Sequence, residues 1–336
     1  MRIRSITRQD LDALYRLAKA TGPGFTSLPL DRDFLAGKIA RAEASLAETA
    51  PEDALYFFVL EQDDGKIVGC CAIESTVGFD QPFYNYRVGK LTQASPQIGI
   101  RQQVDLLFIS NDHTGDAEVC SLFLLPQARH ARVGQLLSRA RMLFLAQFAD
   151  RFPSRVLAEM RGHFTDEGRS PFWEALGAHF FPMAFDEADY LTGQGKKGFI
   201  AELMPRYPIY TAFLPQSARD CIGQVHAHTR PALAMLEKEG FRYEGYIDIF
   251  DGGPTMECRI QDIRTVREST LLPVELVDPP DDDETVFHGL AATTDLQQFR
   301  AIRTRYSPTA QAQPLTPDEA RRLDIEEGAF VRAVVL

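Results

Sequence analysis

The chain has 336 residues, 45% hydrophobic and 25% charged, a normal soluble composition with room for two domains or one large one with an addition. A formal net charge of −11 argues against general nucleic-acid binding, which needs a basic surface, and no signal peptide or apolar run of membrane-spanning length is visible. The five cysteines, Cys70, Cys71, Cys120, Cys221 and Cys258, are odd in number, lack metal-ligand spacing and read as buried, reduced thiols of a cytoplasmic protein.

In chain order, Arg2 to Ile6 reads as a first strand. Thr7 and Asp10 make a capping-box-like pattern before the helix LDALYRLAKAT, which Thr21-Gly22-Pro23-Gly24 breaks. Asp31 to Glu48 reads as a second amphipathic helix. Leu55–Glu61 and Lys66–Glu74 are apolar runs joined through Asp63-Asp64-Gly65, a strong hairpin signal. Phe83–Leu91 is another strand. Thr92–Arg101 lacks sustained alternation and reads as an irregular loop. Leu106–Ser110 then leads through Asn111-Asp112-His113-Thr114-Gly115 to the stretch around which the rest is organised.

That stretch starts with Val119–Leu125, a short apolar run with β-branched and aromatic members that reads as a buried central strand. Pro126 ends it, because proline offers no N–H to a ladder. A basic loop, Arg129 to Gly134, precedes a helix whose Leu136, Leu137, Ala140, Leu143, Phe144 and Phe148 fall on one apolar stripe. A strand, a tight turn and a helix N-terminus form a ready anion site, to which Arg129 and Arg132 add formal charge. A solvated basic turn is the plainer reading of the same residues. The stretch resembles motif A of the GNAT acyltransferases, Gln/Arg-x-x-Gly-x-Gly/Ala, whose loop holds the pyrophosphate of coenzyme A. Arg129-x-x-Arg132-x-Gly134 keeps the first and last positions. Arg132 stands where the first glycine belongs, so either it supplies a side-chain contact or the loop is less open than in relatives.

Arg155–Arg161 is the next strand and Pro171–Leu176 a short helix ending near Gly177. Alternation of this kind predicts an α/β (α+β) fold, a GNAT-like mixed and mainly antiparallel sheet flanked by helices. A doubly wound nucleotide fold is disfavoured, because the Leu55–Glu74 hairpin is antiparallel and no Gly-x-Gly-x-x-Gly follows the first strand. Gly198–Met204 reads as a strand, Pro215–Ile222 as a short helix, and Arg230–Glu239 as a helix with Pro231 in its first turn and Gly240 at its end. Phe241–Phe250 and Thr255–Ile260 are strand-like around the turn Asp251-Gly252-Gly253-Pro254. LEKEGFRYEGYI resembles the last helix and strand of a GNAT core, and SPFWEALGAHF resembles it less well. Two copies would make the core composite, although any glycine-capped helix before a strand looks alike. Pro273, Pro279-Pro280 and the acidic Asp281–Glu284 read as linker. Val286–Leu336 holds short strands, the helix Thr316–Leu323 and a terminal strand Ala329–Leu336, a small C-terminal α+β appendage. The expected division is an acyl-CoA-binding core over 1–205, a second part of the core over 206–267, and the appendage over 268–336.

Longer stretches resemble one family, arginine N-succinyltransferase. They include ATGPGFTSLP (20–29), FYNYRVG (83–89), FISNDHTGDAEVCSLFL (108–124), AEMRG (158–162), GRSPFWEALGAHFF (168–181), ADYLTGQGKKGFIAELMPRYPIY (188–210), IGQVHAHTRPALAMLEKEGFRY (222–243) and GYIDIFDGGPTMEC (245–258). The family has single-subunit members and paired alpha and beta chains, and Arg132 suits a diverged alpha-type chain. The resemblance implies succinyl transfer from succinyl-CoA, a co-substrate and not a bound cofactor, to the α-amino group of L-arginine, with L-ornithine as a further acceptor in paired-chain members. It implies partners of the same or a paralogous beta chain; the cysteine spacing, net charge and hydropathy above lead to no expected metal, nucleic acid or membrane. Two alternatives stand beside it: a non-catalytic or regulatory subunit of a paired-chain enzyme, and an acyltransferase for another amine.

The resemblance also suggests site residues. Leu122 and Leu124 would contact the donor through their backbone, and Arg129, Arg132 and Gly134 would hold its pyrophosphate. His226, in Gly223-Gln224-Val225-His226, would transfer the proton, since histidine titrates near working pH. Read alone it is a turn or capping histidine, with His228 a solvent-facing neighbour and His113 the second choice. Cys120 is better read as a packing cysteine than as an acyl carrier. A guanidinium needs carboxylates, for which Asp112, Glu118, Glu159, Asp248 and Asp251 are candidates. Arg87 and Arg161 could take the acceptor's carboxylate, and Asn85, Arg87 or Lys197 that of the succinyl group.

Overall fold

The structure, a computed structural model, describes residues 1–21, 25–47, 53–130, 132–193, 195–196, 198–278 and 287–336. The chain opens with β1 (Arg2–Ser5), α1 (Leu11–Thr21) and α2 (Arg32–Ala44). Then come β2 (Leu55–Glu61), β3 (Ile67–Glu74), β4 (Asn85–Ser95), β5 (Ile100–Ser110), β6 (Ala117–Leu124), α3 (Val133–Gln147) and β7 (Arg155–Glu159). A π-turn at Trp173–Gly177 leads to α4 (Ala178–Phe180), α5 (Phe185–Gly193), α6 (Gly198–Leu203), β8 (Ile209–Tyr210), α7 (Gln216–Arg219) and α8 (Arg230–Glu239). The chain ends with β9 (Arg242–Asp248), β10 (Pro254–Arg259), α9 (Arg264–Glu268), β11 (Thr270–Leu276), β12 (Phe287–Thr293), β13 (Arg300–Tyr306), β14 (Gln313–Leu315), α10 (Pro317–Leu323) and β15 (Phe330–Val335).

The described strands form one 15-stranded sheet in the order β14-β11-β15-β12-β13-β1-β2-β3-β6-β7-β10-β9-β4-β5-β8. Its pairs are antiparallel except β6–β7 and β11–β14. This is the mixed, mainly antiparallel sheet with flanking helices that a GNAT-like core requires. The C-terminal α+β part continues it: β13 pairs with β1 at Ile3↔Ala301 and Arg4↔Arg300.

The period of two along β2 builds two layers. Leu55, Phe57 and Val59 face one way and pack with Leu14 and Leu17 of α1 and Leu35 and Ile39 of α2. Tyr56, Phe58 and Leu60 face the other way and meet Leu136, Leu137, Leu143 and Phe144 of α3. A strand buried on both faces shows a continuous apolar run, which is why LYFFVL reads as it does. Phe144 is the hub of the second layer, with ring centroids 4.7 Å from Tyr56, 5.1 Å from Phe58 and 4.9 Å from Phe299 of the C-terminal part.

Several expectations change. Thr92–Arg101 is not irregular: β4 and β5 pair from Asn85↔Ser110 to Ser95↔Ile100. The far half of this ribbon is largely exposed, so no alternation marks it in the sequence. Gly198–Leu203 is helix α6 and not a strand, its buried Ile200 and the following Met204 standing one helical turn apart. SPFWEALGAHF leads into helix α5 rather than a strand, so it does not repeat the α8–β9 unit. Gly177 is required there by packing, since a Cβ would stand 2.3 Å from the Trp173 ring. Pro273 belongs to β11, opposite Phe330 of β15, and not to a linker. The second helix stops at Ala44, short of Glu48. Gly22-Pro23-Gly24, Pro279-Pro280 and Asp281–Glu284 lie outside the described residues.

Candidate active site

The site begins where two parallel strands part. β6 and β7 pair only at Ala117↔Val156 and Glu118↔Leu157. Beyond Glu118, β6 keeps β3 as its neighbour, while β7 runs on beside β10. The cause is a bulge. Ser121 has φ 52°, and the β3–β6 register slips between Cys70 and Ala72. An extra residue bends a strand and re-aims its side chains. Cys120 therefore packs with the α1–α2 layer while Leu122, two residues on, packs with the α3 layer. The backbone of Leu122 and Leu124 borders the gap.

At the end of β6 the loop closes on itself, with Arg129 Nε donating to the Leu124 carbonyl at 2.9 Å. Arg132 and Arg129 are both exposed, and Gly134 stands in the first turn of α3 with nothing within 4 Å of where its Cβ would be. Arg132 adopts φ 63°, ψ 19° as the N-cap of α3, in the left-handed region that glycine enters most easily. Arg132→Gly is expected to raise stability by about 1 kcal/mol, since a non-glycine residue pays roughly that in the left-handed region. Thermal melts of the two proteins check it, and an unchanged or lower midpoint would contradict it.

At the end of β7, Glu159 and Arg161 line a cavity of about 120 Å³ together with Asp189, Asp248 and Asp251. Arg161 stacks over the Phe164 ring at 4.7 Å, and its Nε has no hydrogen-bond partner among the described residues. Burial lowers the Arg161 pKa, against which Asp251 and Asp189 pull upward. Asp251 is buried, with Oδ2 accepting from Gly162 N at 2.7 Å and Oδ1 from Gly253 N at 2.8 Å. Burial pushes its carboxyl well above the usual range, and Asp248 beside it pushes the same way. A second cavity of about 830 Å³ shares Thr26, Phe83, Glu159 and Thr192 with the first and reaches Glu118 and Cys120 on β6. Burial raises the Cys120 thiol pKa, with Glu118 and Glu74 adding to it, so its thiolate is disfavoured as an acyl carrier.

His226 stands beside Arg161. Its N–H donates to the Arg161 carbonyl at 2.9 Å, next to an antiparallel bridge between Gly162 and Val225. Its Nδ1 accepts from His228 N at 3.1 Å, so it also has the capping role that the residues alone suggest. A nitrogen that accepts carries no proton, so the neutral ring holds its hydrogen on Nε2. Burial lowers the His226 pKa, and Arg161, His228 and His163 lower it further. His228, His130 and His163 are exposed. His113 is buried, with Nδ1 3.1 Å from Asp116 and Nε2 facing Glu257 at 3.6 Å, away from both cavities.

The structure does not bring every expected residue here. Asn85 is buried, its Nδ2 donating to Glu159 at 2.9 Å and Thr255 at 3.2 Å. Arg87 is exposed, 5.7 Å over the Tyr246 ring, and Asp112 accepts from the Tyr246 hydroxyl at 2.8 Å. None of these three lines either cavity. Lys197 lies outside the described residues. Asp189, Thr26 and Thr192 were missed, although all three fall inside the stretches 20–29 and 188–210 that carry the family resemblance.

A family described as "Arginine N-succinyltransferase beta subunit" matches residues 1–265, and its C-terminal domain matches residues 271–334. The chain is 48% identical to "Arginine N-succinyltransferase subunit beta" of Pseudomonas aeruginosa, covering 100% of this chain and 98% of that one. It is 47% identical, with the same coverage, to "Arginine N-succinyltransferase" of Escherichia coli. The solved structure of arginine/ornithine succinyltransferase subunit AI from Pseudomonas aeruginosa superposes with a TM-score of 0.90 at 34% identity, over 99% of this chain and 98% of that one. The family description and the first of these relatives both read beta, where Arg132 had suggested an alpha-type chain. By its match to the family model along nearly its whole length, the chain belongs to the arginine N-succinyltransferase family.

Proposed function

We propose that this chain transfers the succinyl group of succinyl-CoA to the α-amino group of L-arginine, releasing CoA and N2-succinyl-L-arginine. The observation that carries this reading is the carboxylate-rich cavity with Arg161 at the open end of the β6–β7 gap in a chain of this family; His226 lines neither cavity but is joined to Arg161 through the backbone. The pantetheine arm would add along the open edge of β6, as an extended segment does at a sheet edge. The Leu122 N–H would meet the thioester carbonyl, and the Arg129–Gly134 loop would hold the pyrophosphate. Glu159, Asp189 and Asp248 supply charge for the acceptor's guanidinium. Arg161, with an unmatched Nε, suits its carboxylate.

The neutral amine attacks the thioester carbon, forming the N–C bond and an oxyanion. The ammonium of that intermediate gives its proton to His226 Nδ1, which releases the His228 N–H, and the C–S bond breaks as the imidazolium hands its Nε2 proton to the leaving sulfur. A low histidine pKa makes the imidazolium a strong acid toward a thiolate. The name of the related subunit AI favours L-ornithine as a second acceptor. The same proposal includes a cytoplasmic location, assembly with further chains of its own or a paralogous kind, and the division 1–205, 206–267 and 268–336. No helix among the described residues is long and apolar enough to cross a membrane.

CoA release from succinyl-CoA by the purified chain, with L-arginine, L-ornithine or no acceptor, tests the reading. No release with either amine, with or without a partner chain, would sink it. Arg161→Met is expected to lower kcat/KM for L-arginine roughly 100-fold, the loss of one charge-assisted pair, with far less effect on agmatine, which has no carboxylate. Equal losses on both acceptors would remove Arg161 from that role.

A further inference from the structure

A succinyl thioester carries a free carboxylate, and the cavity on the α1–α2 side of the β6–β7 gap holds a cation that the scheme above leaves unused. Among the described residues lining the larger cavity, the cations are Lys38 and Arg41, both from α2. Arg41 is occupied, its guanidinium held by Glu74 and Asp53. Lys38 is not. Its Nζ donates to the Ser27 carbonyl at 3.0 Å and stands 5.9 Å from the Phe57 ring centroid, and among the described residues no carboxylate pairs with it. An ammonium has three donors, so two are left for a ligand. It is half-buried in a lining that also carries Asp53, Glu74, Asp80, Glu118 and Glu159, and its own contacts, the Ser27 carbonyl and the Phe57 ring, are neutral, so a ligand's carboxylate can take its two open donors.

The geometry of the gap gives the direction. The bulge at Ser121 turns Cys120 toward α1–α2, so Cys120 lines the same cavity as Lys38. A donor entering from the α3 loop, with its thioester carbonyl at Leu122, would pass its acyl chain through the gap toward that side. The acyl carboxylate carbon stands three carbon–carbon bonds beyond the thioester carbon, on the order of 4 Å when extended. Two residues of strand, from Leu122 back to Cys120, span about 6.6 Å. With a hydrogen bond of about 2.9 Å added to its length, the carboxylate of a four-carbon acid comes within reach of a cation on the Cys120 side of the gap, whereas an acetyl group has no carboxylate to offer.

We propose that the Lys38 ammonium receives the free carboxylate of the donor's acyl group and so selects succinyl-CoA over neutral acyl-CoAs of similar length; this rests on the reading of the chain as a succinyltransferase. The acceptor amino acid is a second source of a carboxylate, and the test separates the two. Lys38→Met and Lys38→Arg are compared with the unsubstituted chain, using succinyl-CoA or butyryl-CoA with L-arginine, and succinyl-CoA with agmatine. The expected result is a fall of about 100-fold in the succinyl-to-butyryl ratio of kcat/KM for Lys38→Met, the worth of one charge-assisted hydrogen bond, with partial recovery in Lys38→Arg. KM for L-arginine and the affinity for free CoA stay the same, which shows that the variant is folded. An equal loss with both donors would make Lys38 a structural residue and overturn the proposal. A loss seen with L-arginine but not with agmatine would assign the ammonium to the acceptor and overturn it too. If the unsubstituted chain releases no CoA from succinyl-CoA, the succinyltransferase reading itself fails. If that release is normal and the donor ratio does not move, only the role of Lys38 fails.

Discussion

Replacing His226 with alanine is expected to reduce kcat for succinyl transfer to L-arginine about 1,000-fold, within the range for loss of a general acid–base group. Binding of CoA should survive, because the residues suited to it lie on β6 and the α3 loop. The substitution removes the Nδ1 acceptor of His228 N, but that N–H is exposed and finds water, so the fold is not at stake. The pH profile separates catalysis from structure. Burial, and then Arg161, His228 and His163, hold the His226 pKa below the usual histidine value, so the ring is neutral at working pH. The acceptor's α-amino group loses its proton near pH 8 or above. Log kcat/KM should therefore rise with slope one below that point, and with slope two below the histidine pKa, where both groups must lose a proton. In His226→Ala the slope should stay at one throughout. A variant that keeps the second break would place the proton transfer on another group, and near-normal turnover would end the assignment.

Phe144→Ala is expected to destabilise the chain by about 3–5 kcal/mol, the cost of emptying an aromatic site in a packed core. Phe144 is fully buried. Its ring also lies 4.7 Å from Phe148 and 6.1 Å from Phe152, besides Tyr56, Phe58 and Phe299. Phe299 comes from the C-terminal part, which is further tied to α3 by Arg139 Nη1 on the Val335 carbonyl and by Arg332 Nε on Gln147. Removing Phe144 therefore loosens α3 from the sheet and from the C-terminal strands together. Urea unfolding followed by circular dichroism gives the number. A loss under 1 kcal/mol would mean that neighbouring rings close the cavity.

Much of this was readable without coordinates because local physics decides it. Continuous apolar runs mark β2 and β3, which are buried on both faces, and the 3.6 period marks α1 and α3, each of which presents one face to a buried layer. Gly240 at φ 104° ends α8 where the sequence places a glycine just past the helical stripe. The loop Arg129–Gly134 was legible as strand, turn and helix start. Long matching stretches pointed to the family, and with it to His226, although a lone histidine ahead of a helix says no more than turn or cap.

Other features depend on parts of the chain that meet only in space. The β4–β5 ribbon has no buried face over its far half, so hydrophobic alternation could not announce it. Nothing local in Asn85 shows that its amide is already taken by Glu159 and Thr255, from strands far along the chain. Arg161 and His226 come together through a single bridge, Gly162 to Val225, between segments more than 60 residues apart. The opening of β6 from β7 follows from one bulged residue, Ser121, whose sequence carries no glycine to mark it. Lys38 looks like an ordinary surface lysine on an amphipathic helix. Only the packing of α2 against β2 and β3 sets its ammonium in a cavity beside Cys120, because which charges share a pocket is decided by how layers stack and not by the spacing of residues along the chain.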